Sequence, residues 1–121
     1  MFSLTVENSF RASHQLSYKN GTREDLHDHQ WNLRVRVSAP ALDDDGLLVD
    51  FHQLNDNIKS ITEPISETNL EKIDAFSNKN ASAENLAKYI FEQVLKKISS
   101  GIILDFVEIE EAPGCWARFS R

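Results

Sequence analysis

One cysteine, Cys115, stands in 121 residues. No internal disulfide is possible, so an apolar core must hold the fold, and a reducing compartment is expected. Positive charge is also short: 13 lysines and arginines face 19 acidic residues, for a formal net charge of −6. Proteins that bind phosphate backbones show a basic patch, so nucleic acid is not the expected partner. A local basic pocket for one small phosphorylated ligand remains compatible with that balance. No apolar run approaches the ~20 residues of a membrane span. The sequence does not open on a basic segment followed by an apolar stretch. A soluble, cytoplasmic protein with no membrane partner is expected. Solenoid repeats and low-complexity segments are missing too. The length fits a single domain over residues 1–121.

What is present is strict alternation. From His27 onward, His27, His29, Trp31, Leu33, Val35 and Val37 share one side, and Asp28, Gln30, Asn32, Arg34, Arg36 and Ser38 the other. A period of two marks a half-buried strand. Two histidines thus stand at one end of an apolar face. For an isolated His-x-His, exposure at a strand end is the commoner outcome. A second strand shifts the balance. Over residues 2–14, Phe2, Leu4, Val6, Phe10, Ala12 and His14 share one parity. If the two strands pair antiparallel through residues 15–26, His14 meets His27 and His29. Three neutral imidazoles with an open fourth position form the ligand set of a catalytic zinc site.

The connection between these strands is polar and carries a turn signal at Asn20-Gly21. Pro40 and Asp43-Asp44-Asp45-Gly46 mark a second break. A helix is expected after Asp50 as N-cap, with the stripe Phe51, Leu54, Ile58 and Ile61, ending before Pro64. Residues 63–79 look irregular, with Ile65, Leu70, Ile73 and Phe76 as anchors. Ser82 caps a second helix whose stripe is Leu86, Ile90, Val94 and Ile98, with Glu84 in its first turn. A third strand over 102–111 places Ile103, Val107 and Ile109 on the parity of Glu111. Pro113-Gly114 turns the chain into a fourth strand, 115–119. The order ββααββ predicts an α+β fold: a four-stranded antiparallel sheet with two helices on one face.

Phe10-Arg11-Ala12-Ser13-His14, His27-Asp28-His29, Gly46-Leu47-Leu48-Val49-Asp50-Phe51, Ala81-Ser82-Ala83-Glu84-Asn85-Leu86-Ala87 and Val107-Glu108-Ile109-Glu110-Glu111 together resemble the 6-pyruvoyltetrahydropterin synthase family, which includes the 6-carboxytetrahydropterin synthases. The resemblance runs essentially end to end. It implies the tunnelling fold, in which sheets join into barrels as a homohexamer of two stacked trimers. It implies Zn2+ held by His14, His27 and His29, and a pterin whose guanidine-like edge meets the carboxylate of Glu111. A carboxylate accepts two parallel N–H bonds, so that role is chemically sound. Without the resemblance, Glu111 reads as a solvated acid beside Glu108 and Glu110.

The sequence also departs from the family pattern. The synthases' catalytic cysteine falls at Arg23, whose guanidinium stays protonated and cannot serve as a base. Their Asp-His pair falls at Ser66-Glu67. The glycine between the paired histidines is Asp28, and the proline before the second helix is Ala81. Cys115 is expected to pack as a small apolar residue. Relatives with glutamate near the position of Glu24 are associated with aldolase-type cleavage of dihydroneopterin side chains. Two readings of Glu24 stand: a general base, if burial brings its pKa toward neutrality, or an ordinary loop charge beside Asp25. Glu67 is a weaker candidate for the same duty.

The functional expectation is a zinc-dependent lyase acting on 7,8-dihydroneopterin, its triphosphate or a similar reduced pterin, with Glu24 catalytic. Lys19, Arg23 or Arg11 would meet the phosphates. The alternatives are a zinc- and pterin-binding homologue without catalysis, and an oligomer in which the metal is structural only.

Overall fold

The alternation of the first 14 residues forms strand β1, Phe2–His14, in the computed structural model, which describes residues 1–121. Strand β2 is His27–Ala39, antiparallel to β1, with His14 opposite His27, Ala12 opposite His29 and Phe10 opposite Trp31. Strand β3, Ile103–Ala112, pairs with β2, and strand β4, Cys115–Phe119, with β3. The sheet order is β1-β2-β3-β4, antiparallel throughout.

One face of this sheet is the core. Val6, Phe10, Ala12, Trp31, Leu33, Val35, Val37, Leu104, Val107 and Ile109 are buried there in one apolar cluster. Helix α1, Phe51–Thr62, contacts β1, and helix α2, Ala83–Leu95, contacts β3 and β4. Each helix starts where a short polar side chain satisfies an otherwise orphaned amide. Asp50 accepts from the His52 N–H at 2.8 Å, and Ser82 from the Asn85 N–H at 3.2 Å. The opposite face is polar. Arg34 reaches Glu7 and Glu108 at 3.4 and 3.5 Å, Arg118 reaches Glu108 at 3.2 Å, and Arg36 reaches Asp105 at 3.4 Å.

Four expectations about packing are corrected. Ile103 is exposed, and Leu104 takes its place in the core. The cause is a β-bulge: Arg36 lies opposite Phe106 and Val37 opposite Leu104, leaving Asp105 as the extra residue. One inserted residue reverses the side-chain parity beyond it. Phe51 is 50% exposed because the first position of α1 lies outside the stripe that Leu54, Ile58 and Ile61 bury. Ile98 follows the end of α2 at Leu95 and is only partly buried. Cys115 is exposed at the start of β4 rather than packed.

Residues 63–79 are not a loose loop. They fold into three short 3-10 turns, Glu63–Ile65, Leu70–Lys72 and Asp74–Phe76, which bury Ile65, Leu70 and Phe76. Ile73 is only partly buried. Glu67 adopts φ +58°, the left-handed region that a side chain disfavours. Beyond it the chain runs along the outer edge of β1. The Glu67 N–H donates to the Arg11 carbonyl at 2.6 Å, and the Ser13 N–H to the Thr68 carbonyl at 2.9 Å. The segment thus covers the histidine end of an otherwise open sheet edge.

Candidate metal centre

The antiparallel register brings His14, His27 and His29 together at one end of the core face. One ring nitrogen from each lies within 4.8 Å of the others. His14 is buried, while the side chains of His27 and His29 are 37% and 22% exposed, so the cluster opens to solvent on one side. Trp31 floors it, with its ring centroid 5.0 Å from that of His14 and 5.1 Å from that of His29. The indole N–H donates to the Ala12 carbonyl at 3.2 Å.

The tautomers follow from two carbonyls. His14 Nδ1 lies 2.8 Å from the Ala81 carbonyl oxygen, and His27 Nδ1 lies 2.8 Å from that of Asp25. A carbonyl only accepts, so both Nδ1 atoms carry the proton and donate. In the neutral rings both Nε2 atoms then present lone pairs, and these two atoms stand 3.0 Å apart. Two facing lone pairs repel unless a cation lies between them. Imidazoles oriented through Nδ1–H···O=C are the usual form of metal-ligating histidine. The donor set therefore fits a divalent ion of zinc's preferences. Burial holds the pKa of His29 below the ordinary imidazole value, outweighing the opposing pull of Glu111, and favours the neutral, ligating form.

Two carboxylates flank the triad. Glu24 comes from the β1–β2 connection, which is itself a small hairpin. Ser17 bridges Arg23, the Tyr18 N–H donates to the Thr22 carbonyl at 2.8 Å, and Gly21 takes φ +90° at the tip. This hairpin holds both Glu24 oxygens: Oε1 accepts from the Leu16 N–H at 3.0 Å and Oε2 from the Tyr18 hydroxyl at 3.2 Å. Oε1 is 3.9 Å from His27 Nε2. The Leu16 amide, foremost, holds the Glu24 pKa below the usual carboxylate range. Partial desolvation and the Glu24 charge raise that of Tyr18. The shift at Glu24 runs away from neutrality, opposite to the one a general base would gain from burial.

Glu111 arrives from β3. Glu110 lies opposite Trp116 and Ala112 opposite Cys115, so Glu111 is the extra residue of a second bulge. Bulges beside sites commonly re-aim a side chain. Here Glu111 Oε1 lies 3.4 Å from His14 Nε2 and 4.0 Å from His29 Nε2. Glu110 anchors the turn, accepting from Asn32 Nδ2 and the Gly114 N–H, both at 2.8 Å.

The other candidates are dispersed. Lys19 and Arg23 line a cleft of about 710 Å³ beside the hairpin, together with Tyr18, Glu71 and Lys79. Arg11 lies away from it on the polar face of the sheet, 3.7 Å from Asp28. Glu67 is exposed along the edge of β1 and does not join the triad. Sequence reasoning missed Tyr18, although its place two residues before Asn20-Gly21 was a hairpin signal. It also missed Glu71, which accepts from the Gln15 N–H at 2.6 Å, next to His14.

Fold and site together define an α+β protein with a three-histidine, metal-competent centre at one end of an antiparallel sheet. A family profile described as 6-pyruvoyl tetrahydropterin synthase matches residues 3–121. A putative 6-pyruvoyl tetrahydrobiopterin synthase of Caenorhabditis elegans is 26% identical over 88 residues, 72% of this chain and 63% of that protein. The matched region thus spans less than two thirds of that relative. A 6-carboxy-5,6,7,8-tetrahydropterin synthase of Synechocystis is 28% identical over 126 residues, 98% of this chain and 93% of its own. The structure of a Caenorhabditis elegans 6-pyruvoyl tetrahydropterin synthase superposes with a TM-score of 0.88 at 21% identity, covering 99% of this chain and 95% of the other. A Plasmodium vivax 6-pyruvoyltetrahydropterin synthase, in a variant whose catalytic glutamate is replaced by alanine, gives 0.81 at 20% identity, covering 99% and 97%. The chain belongs to the 6-pyruvoyl tetrahydropterin synthase family.

Proposed function

We propose that this chain is a zinc-dependent, lyase-type enzyme acting on 7,8-dihydroneopterin, its triphosphate or a similar reduced pterin. The observation that carries the reading is the pair of Nε2 lone pairs 3.0 Å apart, each fixed by a backbone carbonyl on the far side of its ring. His14, His27 and His29 would hold the ion, and a bound zinc supplies Lewis-acid polarisation of oxygens on the substrate side chain. Glu111 accepts paired N–H groups from the edge of the pterin ring. Glu24 takes and returns a proton, with the Tyr18 hydroxyl as its hydrogen-bond partner. A Plasmodium vivax relative with a catalytic glutamate supports that role for a carboxylate in this family. The chain acts as one domain, in the cytoplasm, and assembles through its sheet edges into a homohexamer. The free stretch of β1 and the short strand β4 leave the edges such an assembly needs.

A second reading has its own observation. Arg23 stands where the synthases carry cysteine and binds Ser17 Oγ through Nε at 3.1 Å, while Glu24 is held at a lowered pKa. A protein that binds zinc and pterin without turnover is the alternative. The deciding experiment offers 7,8-dihydroneopterin and its triphosphate separately to the zinc-loaded protein, with products followed by chromatography and mass. Product that appears only with zinc and is lost in Glu24→Ala supports the enzyme with Glu24 in its mechanism. A 6-hydroxymethyl product identifies aldolase-type cleavage, whereas 6-pyruvoyl or 6-carboxy products identify chemistry that bypasses the missing cysteine. Tight binding with no product establishes the alternative.

A further inference from the structure

Glu24 stands beside the triad with both of its oxygens held from elsewhere. Oε1 accepts from the Leu16 N–H at 3.0 Å and lies 3.9 Å from His27 Nε2. Oε2 accepts from the Tyr18 hydroxyl at 3.2 Å, the only side chain hydrogen-bonded to Glu24. Arg23, its neighbour in sequence, donates through Nε to Ser17 Oγ at 3.1 Å and makes no ion pair with it. The hairpin fixes Tyr18 in turn. Its N–H donates to the Thr22 carbonyl at 2.8 Å, and its carbonyl accepts from the Gly21 N–H at 3.0 Å. Desolvation and the Glu24 charge raise the pKa of the phenol, so the hydroxyl keeps the proton it donates.

A bound divalent ion is the largest charge in its surroundings. An unrestrained carboxylate at its side turns toward it, fills the open fourth position and no longer serves as a free base. A restrained carboxylate stays available. At Glu24 the restraint has two parts, a backbone amide on one oxygen and the Tyr18 hydroxyl on the other. Only the second belongs to a side chain.

We propose that Tyr18 is a positioning residue, whose hydroxyl keeps Glu24 in the hairpin and off the metal held by His14, His27 and His29. The carboxylate then remains free for proton transfer, and the fourth coordination position remains open to substrate. This rests on the reading of the triad as a zinc site with Glu24 as its base. The consequence runs against the usual effect of deleting a contact beside a metal: without the hydroxyl, zinc binds more tightly and turnover falls.

The test measures zinc affinity, by competition with a chelator, in wild type, Tyr18→Phe, Glu24→Gln and the double variant. Tyr18 is 49% exposed, so losing one hydroxyl there leaves the core untouched. Tyr18→Phe should bind zinc about tenfold more tightly than wild type, the lower end of what groups around metal ligands are worth. The gain should vanish when Glu24→Gln is added, because the released carboxylate is its source. With Co2+ in place of zinc, the visible absorption should change in Tyr18→Phe as a carboxylate joins the metal, and should not change between Glu24→Gln and the double variant. Turnover in Tyr18→Phe should fall at least about tenfold.

Zinc affinity in Tyr18→Phe that equals or falls below the wild-type value overturns the proposal. So does a gain that persists in the double variant, or a cobalt spectrum that ignores the loss of the hydroxyl. Failure of the underlying reading shows without Tyr18→Phe: the wild type then retains no zinc, His14→Gln retains it undiminished, or Glu24→Gln turns substrate over at the wild-type rate.

Discussion

The core face of β1 and β2 has two ends, built on the same parity of the same strands. Beyond Trp31, Leu33, Val35 and Val37 are sealed under the helices, each at most 1% exposed. On the other side of Trp31 the same row continues as His29 and His27, with His14 across from them, and the helices give way to an opening. One end holds the fold and the other presents donors. A candidate ligand set placed in line with the core inherits the rigidity of the sheet. The expensive part of a metal centre, orienting side chains before the ion arrives, is here done by strand register.

Trp31 is the joint between the two ends, and its loss should damage both. Trp31→Ala is expected to destabilise by about 3–5 kcal/mol in denaturant unfolding and to weaken zinc binding in the same protein. Normal zinc affinity in that variant would show that the triad does not need its floor. Leu33→Ala should cost about 3 kcal/mol and leave zinc stoichiometry unchanged, since it lies wholly on the structural side. Zinc at a free concentration 100 times its Kd should add about 2.7 kcal/mol of stability, removable by chelator. That increment should be the same in wild type and Leu33→Ala; a smaller increment in the variant would mean that the two ends are coupled. Glu71→Ala leaves the Gln15 amide without its acceptor and should cost about 1 kcal/mol. Because that amide follows His14, zinc affinity should fall with it, measured by chelator competition. Phe51→Ser, at an exposed position outside the buried stripe of α1, should change stability by no more than about 0.5 kcal/mol.

The parity of β1 and β2 was legible because a half-buried strand writes its burial directly into the sequence. The meeting of His14, His27 and His29 followed from that parity plus one hairpin connection. Ile103 was misplaced because a bulge leaves no composition signal; only the observed register shows Asp105 as the extra residue. The bulge that turns Glu111 toward the histidines was equally invisible, and so was the clamp on Glu24. The interval 63–79 has neither a helical nor a strand period, because its buried anchors Ile65, Leu70 and Phe76 come from three separate 3-10 turns, and main-chain bonds to Arg11 and Ser13 tie it to the edge of β1. Phe51 and Ile98 fit the helical spacing on paper, yet Phe51 is the first residue of α1 and Ile98 lies past the end of α2 at Leu95.

The oxygens that orient His14 and His27 belong to the peptide bonds of Ala81 and Asp25. No codon change deletes a peptide carbonyl. Replacing Asp25 or Ala81 with another residue that keeps the local backbone leaves both imidazoles in the same tautomer. Descendants of this chain can therefore drift at 25 and 81 while inheriting the same metal-ready pair. What is passed on is the path of the main chain, which a comparison of side chains alone does not record.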